Sequence, residues 1–390
     1  MLPEVFTFAD ALDALQDFAT GRASVSAAIQ RRCVRAAYRK VLTAHDWSFL
    51  KVKGGLRVYA PQTDGTIAFD LTGGVYERQV TLTDATWPAW IEDAALRIGD
   101  VVCDVEEYKS ATVVTLDAAL NPGADVAAGT SYSAYPRWYA LPNDFGQMIA
   151  VIGEPTWGTI QPVPYSDPIA LDQYGVGTGG TCRYAIGAAP DRYGQMAIFA
   201  QPPFDANGVL NFVYRKKARD LRYSGYNSGE YAGTVSVTAG LPTVTGVATT
   251  FESGMVGSIF RISATASRPT GLEGINAWAE QRVVAAVAIG GLSLTLDANI
   301  ATTRAAKGYV ISDPIELEGA VWEAFLRACE EQYAAHRGVK DLPAIAALAE
   351  EALRRAKAAD CRVIQPQQAA VGGPYQSRLA DATNRPTPSF

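Results

Sequence analysis

The chain has 390 residues, 48% hydrophobic and 19% charged, with a formal net charge of −6. That profile fits a globular protein of two or three domains with sizeable cores and excludes a wholly disordered chain. No apolar run approaches the ~20 residues of a membrane helix, the start Met1-Leu2-Pro3-Glu4 lacks the pattern of a signal peptide, and the acidic balance lacks the footprint of a protein that grips nucleic acid through phosphates. A chain made and kept in a cytoplasm is expected. Cys33, Cys103, Cys182, Cys329 and Cys361 lie far apart without paired spacing, so reduced, mostly buried thiols are expected rather than a disulfide framework or a zinc site.

In chain order, Thr7 with Asp10 three residues later is an N-cap signal, and Phe8, Leu12, Leu15 and Phe18 recur at helical spacing until Thr20-Gly21 stops the run. Ser24 can cap a second helix. Val25, Ile29, Cys33, Ala36, Ala37 and Val41 form its apolar stripe, while Arg31, Arg32, Arg35, Arg39 and Lys40 fill the other side up to His45-Asp46-Trp47.

From about residue 54 the chain reads as strands, and it says one thing twice. Gly65-Thr66-Ile67-Ala68-Phe69, Val80-Thr81-Leu82, Ala85-Thr86-Trp87 and Thr115-Leu116-Asp117 return as Gly233-Thr234-Val235-Ser236-Val237, Val244-Thr245-Gly246, Thr249-Thr250-Phe251 and Thr295-Leu296-Asp297. Each copy closes on an aromatic strand and a proline, Tyr132-Ser133-Ala134-Tyr135-Pro136 and Tyr309-Val310-Ile311-Ser312-Asp313-Pro314. Between the copies, aromatic strands such as Met196 to Phe199 and Val209 to Tyr214 surround the glycine-rich Gly175 to Gly180. Asp313-Pro314-Ile315-Glu316 then predicts a helix start, with Leu317, Val321, Phe325 and Ala328 inward and Gly338 as its end. Asp341-Leu342-Pro343 starts a last helix with Ile345, Leu348, Ala352 and Ala356 on one face. After Arg362 the Gln- and Pro-rich tail cannot build a core and reads as an extended arm.

The expected class is α+β. A host domain combines a helical bundle with a small antiparallel sheet (1–53, 137–230 and 313–362). Two inserted, mutually similar small β-barrel or sandwich domains (54–136 and 231–312) and an extended C-terminal arm (363–390) complete it.

The parts of a catalytic site are scarce. His45 and His336 each sit at a helix end, where a histidine commonly caps the negative end of the dipole. Gly175 to Gly180 matches G-x-G-x-x-G but precedes a strand instead of opening a helix. Carboxylates such as Asp104, Glu106 and Glu107 form no constellation that separates an acid from a base. No enzyme activity, cofactor or metal is expected. The run Arg215-Lys216-Lys217-Ala218-Arg219 reads as a soluble strand end, or else as a surface meeting an acidic subunit or DNA.

The arginine-studded helix ending in His45-Asp46-Trp47-Ser48-Phe49-Leu50, followed by Trp138-Tyr139-Ala140-Leu141-Pro142-Asn143-Asp144-Phe145, the strand pair around Gln201-Pro202-Pro203 that leads into Tyr214-Arg215-Lys216 and Asp220-Leu221, and a closing helical pair, resembles the head-to-tail adaptor (connector) proteins of tailed bacteriophages. The repeated β unit is similar to inserts of phage structural proteins. The resemblance implies a non-enzymatic virion protein, assembled in the host bacterial cytoplasm. Its copies would form a ring, dodecameric in that family, which joins the portal to tail or nozzle proteins and lets double-stranded DNA pass without sequence recognition or contact with a membrane. On that reading Arg31, Arg35, Arg39, Arg215, Lys216 and Lys217 are subunit-interface candidates, and Tyr375, Arg378, Arg385, Pro386 and Phe390 are portal-docking candidates. The alternatives are a carbohydrate- or surface-binding phage tail module and, third, a cell-wall hydrolase using carboxylates among Asp100 to Glu107.

Overall fold

A computed structural model describes residues 5–20, 26–71, 77–152, 160–162, 182–190, 192–268 and 278–371. The chain divides into two compact units, Lys51–Lys217 and Met1–Leu50 with Ala218–Phe390. Among the described residues, no helix is long and apolar enough to cross a membrane.

Helix α1 (Phe8–Ala19) begins as the Thr7–Asp10 spacing predicts. The Thr7 amide donates to Asp10 Oδ2 at 2.8 Å and the Asp10 amide to Thr7 Oγ1 at 3.4 Å, a reciprocal capping box. Helix α2 (Ala27–Thr43) follows Ser26, whose side chain makes no capping bond; Ser24 lies outside the described residues. Its buried stripe is Gln30, Cys33, Val34, Ala37, Tyr38 and Val41. Ala36, expected inward, is exposed, because the stripe is rotated one position toward Val34 and Tyr38.

The 51–217 unit holds β1 (Lys51–Val58), β2 (Thr66–Asp70), β3 (Gln79–Thr83), β4 (Ala94–Ile98), β5 (Val101–Ser110), β6 (Val113–Leu116), β7 (Val126–Thr130), β8 (Tyr132–Pro136), β9 (Tyr139–Ala140), β10 (Phe145–Ile152), β11 (Ile160–Pro162), β12 (Cys182–Ala188), β13 (Met196–Gln201) and β14 (Gly208–Lys216). Strands β2 to β8 form one curled antiparallel sheet in the order β7-β2-β3-β6-β5-β4-β8, closed over Ile67, Phe69, Leu82, Leu96, Val114 and Leu116. A three-stranded sheet runs β1-β14-β10, and a four-stranded sheet runs β11-β12-β13-β9, with β11 parallel to β12. Strand β1 spans residue 54, where the first β module was expected to begin. It pairs with β14 along its whole length, from Lys51 opposite Arg215 to Val58 opposite Gly208, because Val52, Leu56 and Val58 alternate toward the core of Leu210, Phe212 and Tyr214.

The other unit continues through a single helical turn α3 (Ser228–Tyr231), β15 (Thr234–Val237), β16 (Thr243–Val247), β17 (Ile259–Ser263), β18 (Trp278–Val287), β19 (Ser293–Leu296), β20 (Arg304–Lys307), β21 (Tyr309–Ser312), α4 (Gly319–Arg337) and α5 (Leu342–Val371). Helices α1, α2, α4 and α5 meet in one core around Phe8, Leu15, Trp47, Phe325 and Tyr333. Trp47 is fully buried there, and its Nε1 donates to Val41 O at 2.8 Å. Gly338 ends α4 in the left-handed conformation that favours glycine (φ +61°).

Three sequence expectations fail here. Helix α4 starts at Gly319, not after Asp313, because the Asp313 carboxylate is engaged elsewhere and cannot cap. Leu348 is 58% exposed; Ala349 and Leu353, one position round the helix, face the core instead. Helix α5 runs to Val371, past the expected start of the extended arm at 363. Residues 367 to 370, Gln-Gln-Ala-Ala, are good helix formers that carry an existing helix onward.

The second curled sheet has the order β20-β15-β16-β19-β18-β17-β21, which is the order of the first with each strand replaced by its counterpart. The likeness extends to single residues. Gly65 and Gly233 open their sheets at φ +78° and +85°. Asp84 and Ala248 turn the chain at φ 63° and 56°. The closing tyrosines donate from their hydroxyls to the carbonyl just before those glycines, Tyr132 to Asp64 O at 2.8 Å and Tyr309 to Ala232 O at 2.9 Å. Burial pushes both phenols up to about 12. Each tyrosine also meets an aromatic edge-to-face, Trp87 at 5.3 Å and Phe251 at 5.8 Å.

Candidate functional site

The strongest site is a cleft of about 260 Å³ in the unit of residues 1–50 and 218–390, lined by Arg35, Tyr38, Arg39 and Leu42 of α2 and by residues 218–222. Helix periodicity places Arg35, Arg39 and Leu42 near one another, one to two turns apart. Tyr38 is buried, and its hydroxyl accepts from the Glu316 amide at 3.3 Å. Burial, with the Glu316 carboxylate nearby, pushes its phenol far up.

Residues 218–222 have no regular structure, so side chains must hold them. Asp313 does most of this. It is 0% exposed; its Oδ1 accepts from Arg219 Nε at 3.0 Å and Ser258 Oγ at 2.8 Å, and its Oδ2 from the amides of Arg222 and Tyr223. Arg35 holds the other side, donating from Nε to Leu221 O at 2.7 Å and from Nη2 to Arg222 O at 3.3 Å, with its guanidinium 5.6 Å from the Phe8 ring. Arg219 is neutralised by Asp313 and donates also to Val256 O and Ser258 Oγ. Arg39 and Arg222 are exposed and make no side-chain hydrogen bond or ion pair among the described residues. The cleft therefore has an apolar floor of Tyr38, Leu42 and Leu221, two fixed guanidiniums (Arg35 and Arg219), two exposed ones unpaired among the described residues (Arg39 and Arg222) and one carboxylate, Asp220. Such a wall suits an anion.

Of the six subunit-interface candidates, the structure brings Arg35 and Arg39 into this cleft. Arg31 bonds Asn227 Oδ1 instead. Arg215 and Lys216 belong to the end of β14 in the other unit, followed by Lys217, whose amide donates to Asp144 O at 2.6 Å. Tyr375, Arg378, Arg385, Pro386 and Phe390, like Gly175 to Gly180, lie outside the described residues. The ring of His45 turns to Asp360 (Nε2 to Oδ2 3.1 Å), a buried carboxylate of α5 that also accepts from the Ser48 amide, so it fastens a loop to α5. His336 is exposed at the end of α4. Sequence reading gave Arg219 only as the end of a basic run and Asp313 only as a helix cap, and missed Arg222, because their partners lie 35 to 94 residues away and no local spacing signals them.

In the same unit the acidic face of α1 meets arginines of the second sheet and the loop that follows β17. Arg261, 4% exposed, forks onto Asp10 at 2.7 and 2.9 Å, and Arg268 lies 4.1 Å over the Tyr226 ring. Burial, with Asp10 and Asp17 beside it and Arg268 opposing, pushes the half-buried Asp13 carboxyl up to about 6. A carboxyl raised on folding stabilises in its protonated form. Its contribution is present below its unfolded value of 3.8 and is lost as pH rises through about 6. Between pH 5 and 7 the fold is expected to lose on the order of 1 kcal/mol from this group, discounted for its partial exposure. In urea titrations Asp13→Asn should flatten that slope and exceed the wild type in stability above pH 7; equal slopes would contradict this.

No protein-family profile, curated protein or solved structure matches this chain.

Proposed function

We propose that this protein is a structural component of a tailed-phage virion, a head-to-tail adaptor whose copies form a ring between the portal and the tail or nozzle and surround the DNA exit channel. In this reading the helical core belongs to the host domain, and the two seven-stranded sheets are inserts that reach neighbouring proteins. The tail beyond α5, with Tyr375, Arg378, Arg385, Pro386 and Phe390, docks to the portal. The observation that carries the reading is the cleft on α2: two exposed guanidiniums without a partner among the described residues, in a protein of net charge −6, are what an interlocking acidic structural protein would present. The two sheets of one strand order support it, since duplicated attachment domains suit a part with neighbours above and below.

Light scattering on the eluting purified chain tests the reading. A single species many times 41.6 kDa is expected. A 41.6 kDa monomer retained on a glycan column would replace it with a carbohydrate-binding module.

A further inference from the structure

The cleft's chemistry specifies more than an anion. We infer that it is a carboxylate-binding site that receives an acidic segment, aliphatic on its inner side, of a second copy of this chain. The inference rests on the ring reading above and names where one copy grips the next.

Three observations point to that occupant. The wall offers the planar forks of Arg39 and Arg222 beside Arg35, which two backbone carbonyls and the Phe8 ring already hold in place, so Arg35 adds its charge with little loss of side-chain freedom when a carboxylate arrives. The floor of Tyr38, Leu42 and Leu221 is apolar. A phosphodiester strand would leave that floor unused, whereas Asp or Glu flanked by aliphatic residues fills both parts. At about 260 Å³ the cleft falls just below the range typical of small-molecule pockets and suits a few side chains of a peptide.

Charge balance supplies the second copy. Arg35, Arg39 and Arg222 against Asp220 leave the cleft positive, while the whole chain has 40 Asp and Glu against 34 Lys and Arg, so its remaining surface is acidic. The same imbalance says what the cleft meets. A positive cleft facing its own image would suffer like-charge repulsion, so its partner is a different, acidic surface of the next copy. In the ring reading that contact is heterologous, and a heterologous contact that closes on itself makes a ring.

The test uses the full chain with Arg39→Glu and Arg222→Glu combined, followed by sedimentation velocity and by anisotropy of a labelled hexaglutamate peptide. Both side chains are exposed, so the melting temperature should stay unchanged; if it falls, the Arg39→Gln, Arg222→Gln pair replaces it. Expected are collapse of the assembled species to 41.6 kDa and at least a tenfold loss of peptide affinity. Inorganic phosphate at equal concentration should compete weakly. A folded charge-reversed variant that assembles like a ring-forming wild type overturns the cleft as the interface and leaves the ring reading standing. Phosphate displacing the peptide completely overturns the carboxylate assignment. A wild type that stays monomeric removes the ring reading and this inference with it.

Discussion

Replacing Asp313 with alanine is expected to destabilise the unit formed by residues 1–50 and 218–390 by about 3–5 kcal/mol. Four donors converge on this fully buried carboxylate: Arg219 Nε, Ser258 Oγ and the amides of Arg222 and Tyr223. Alanine leaves the two amides and the hydroxyl without an acceptor, and each unsatisfied buried group costs about 1–3 kcal/mol. Arg219, 26% exposed at its side chain, recovers part of its loss through water. Asp313→Asn keeps the shape and one acceptor and should cost about half as much. Urea unfolding monitored by tryptophan fluorescence measures both. A loss below about 1 kcal/mol for alanine would mean that residues 218–222 are held by something other than this carboxylate.

The repeat makes a second, paired prediction. A Cβ on Gly65 would stand 2.3 Å from Thr83 O, and one on Gly233 would stand 2.4 Å from both Val247 O and Ala248 O, with both glycines at positive φ. Gly65→Ala and Gly233→Ala should therefore each cost about 2–3 kcal/mol in their own unit, combining backbone strain with a clash against a carbonyl that cannot swing aside. Gly240 is the control: its φ is +80°, yet a Cβ there meets nothing within 4 Å. Its alanine variant carries the strain alone and should cost about 1 kcal/mol. If all three variants lose the same amount, close approach plays no part in fixing these turns.

Features set by short-range spacing were legible in the sequence. The Thr7–Asp10 capping box, the stop at Gly338 and the repeated strands of both sheets follow from periods of 2 and 3.6 and from cap residues within four positions. Two copies of the same words also implied two sheets of one topology, since identical turn glycines and closing aromatics pin register at the same points. What stayed hidden depends on distance along the chain. Asp313 has a good local cap pattern, but the amides it accepts from lie 90 and 91 residues earlier, and those bonds outweigh a cap of about 1 kcal/mol. Pattern alone could not see that β1 belongs with β14, because its pairing partners are 150 to 164 residues away, from Val58 opposite Gly208 to Lys51 opposite Arg215. The same holds for the cleft. Half of it was visible as the arginine row of α2; the facing wall was legible only as the end of a basic run.

The most direct measurement is an electron-microscope image of the purified full-length chain at micromolar concentration. The account predicts closed rings of one size, each with a central opening wide enough for duplex DNA and a mass that is a whole multiple of 41.6 kDa, twelvefold if the resemblance to the connectors holds. Isolated particles of 41.6 kDa at every concentration, or two-fold dimers without a channel, would contradict it.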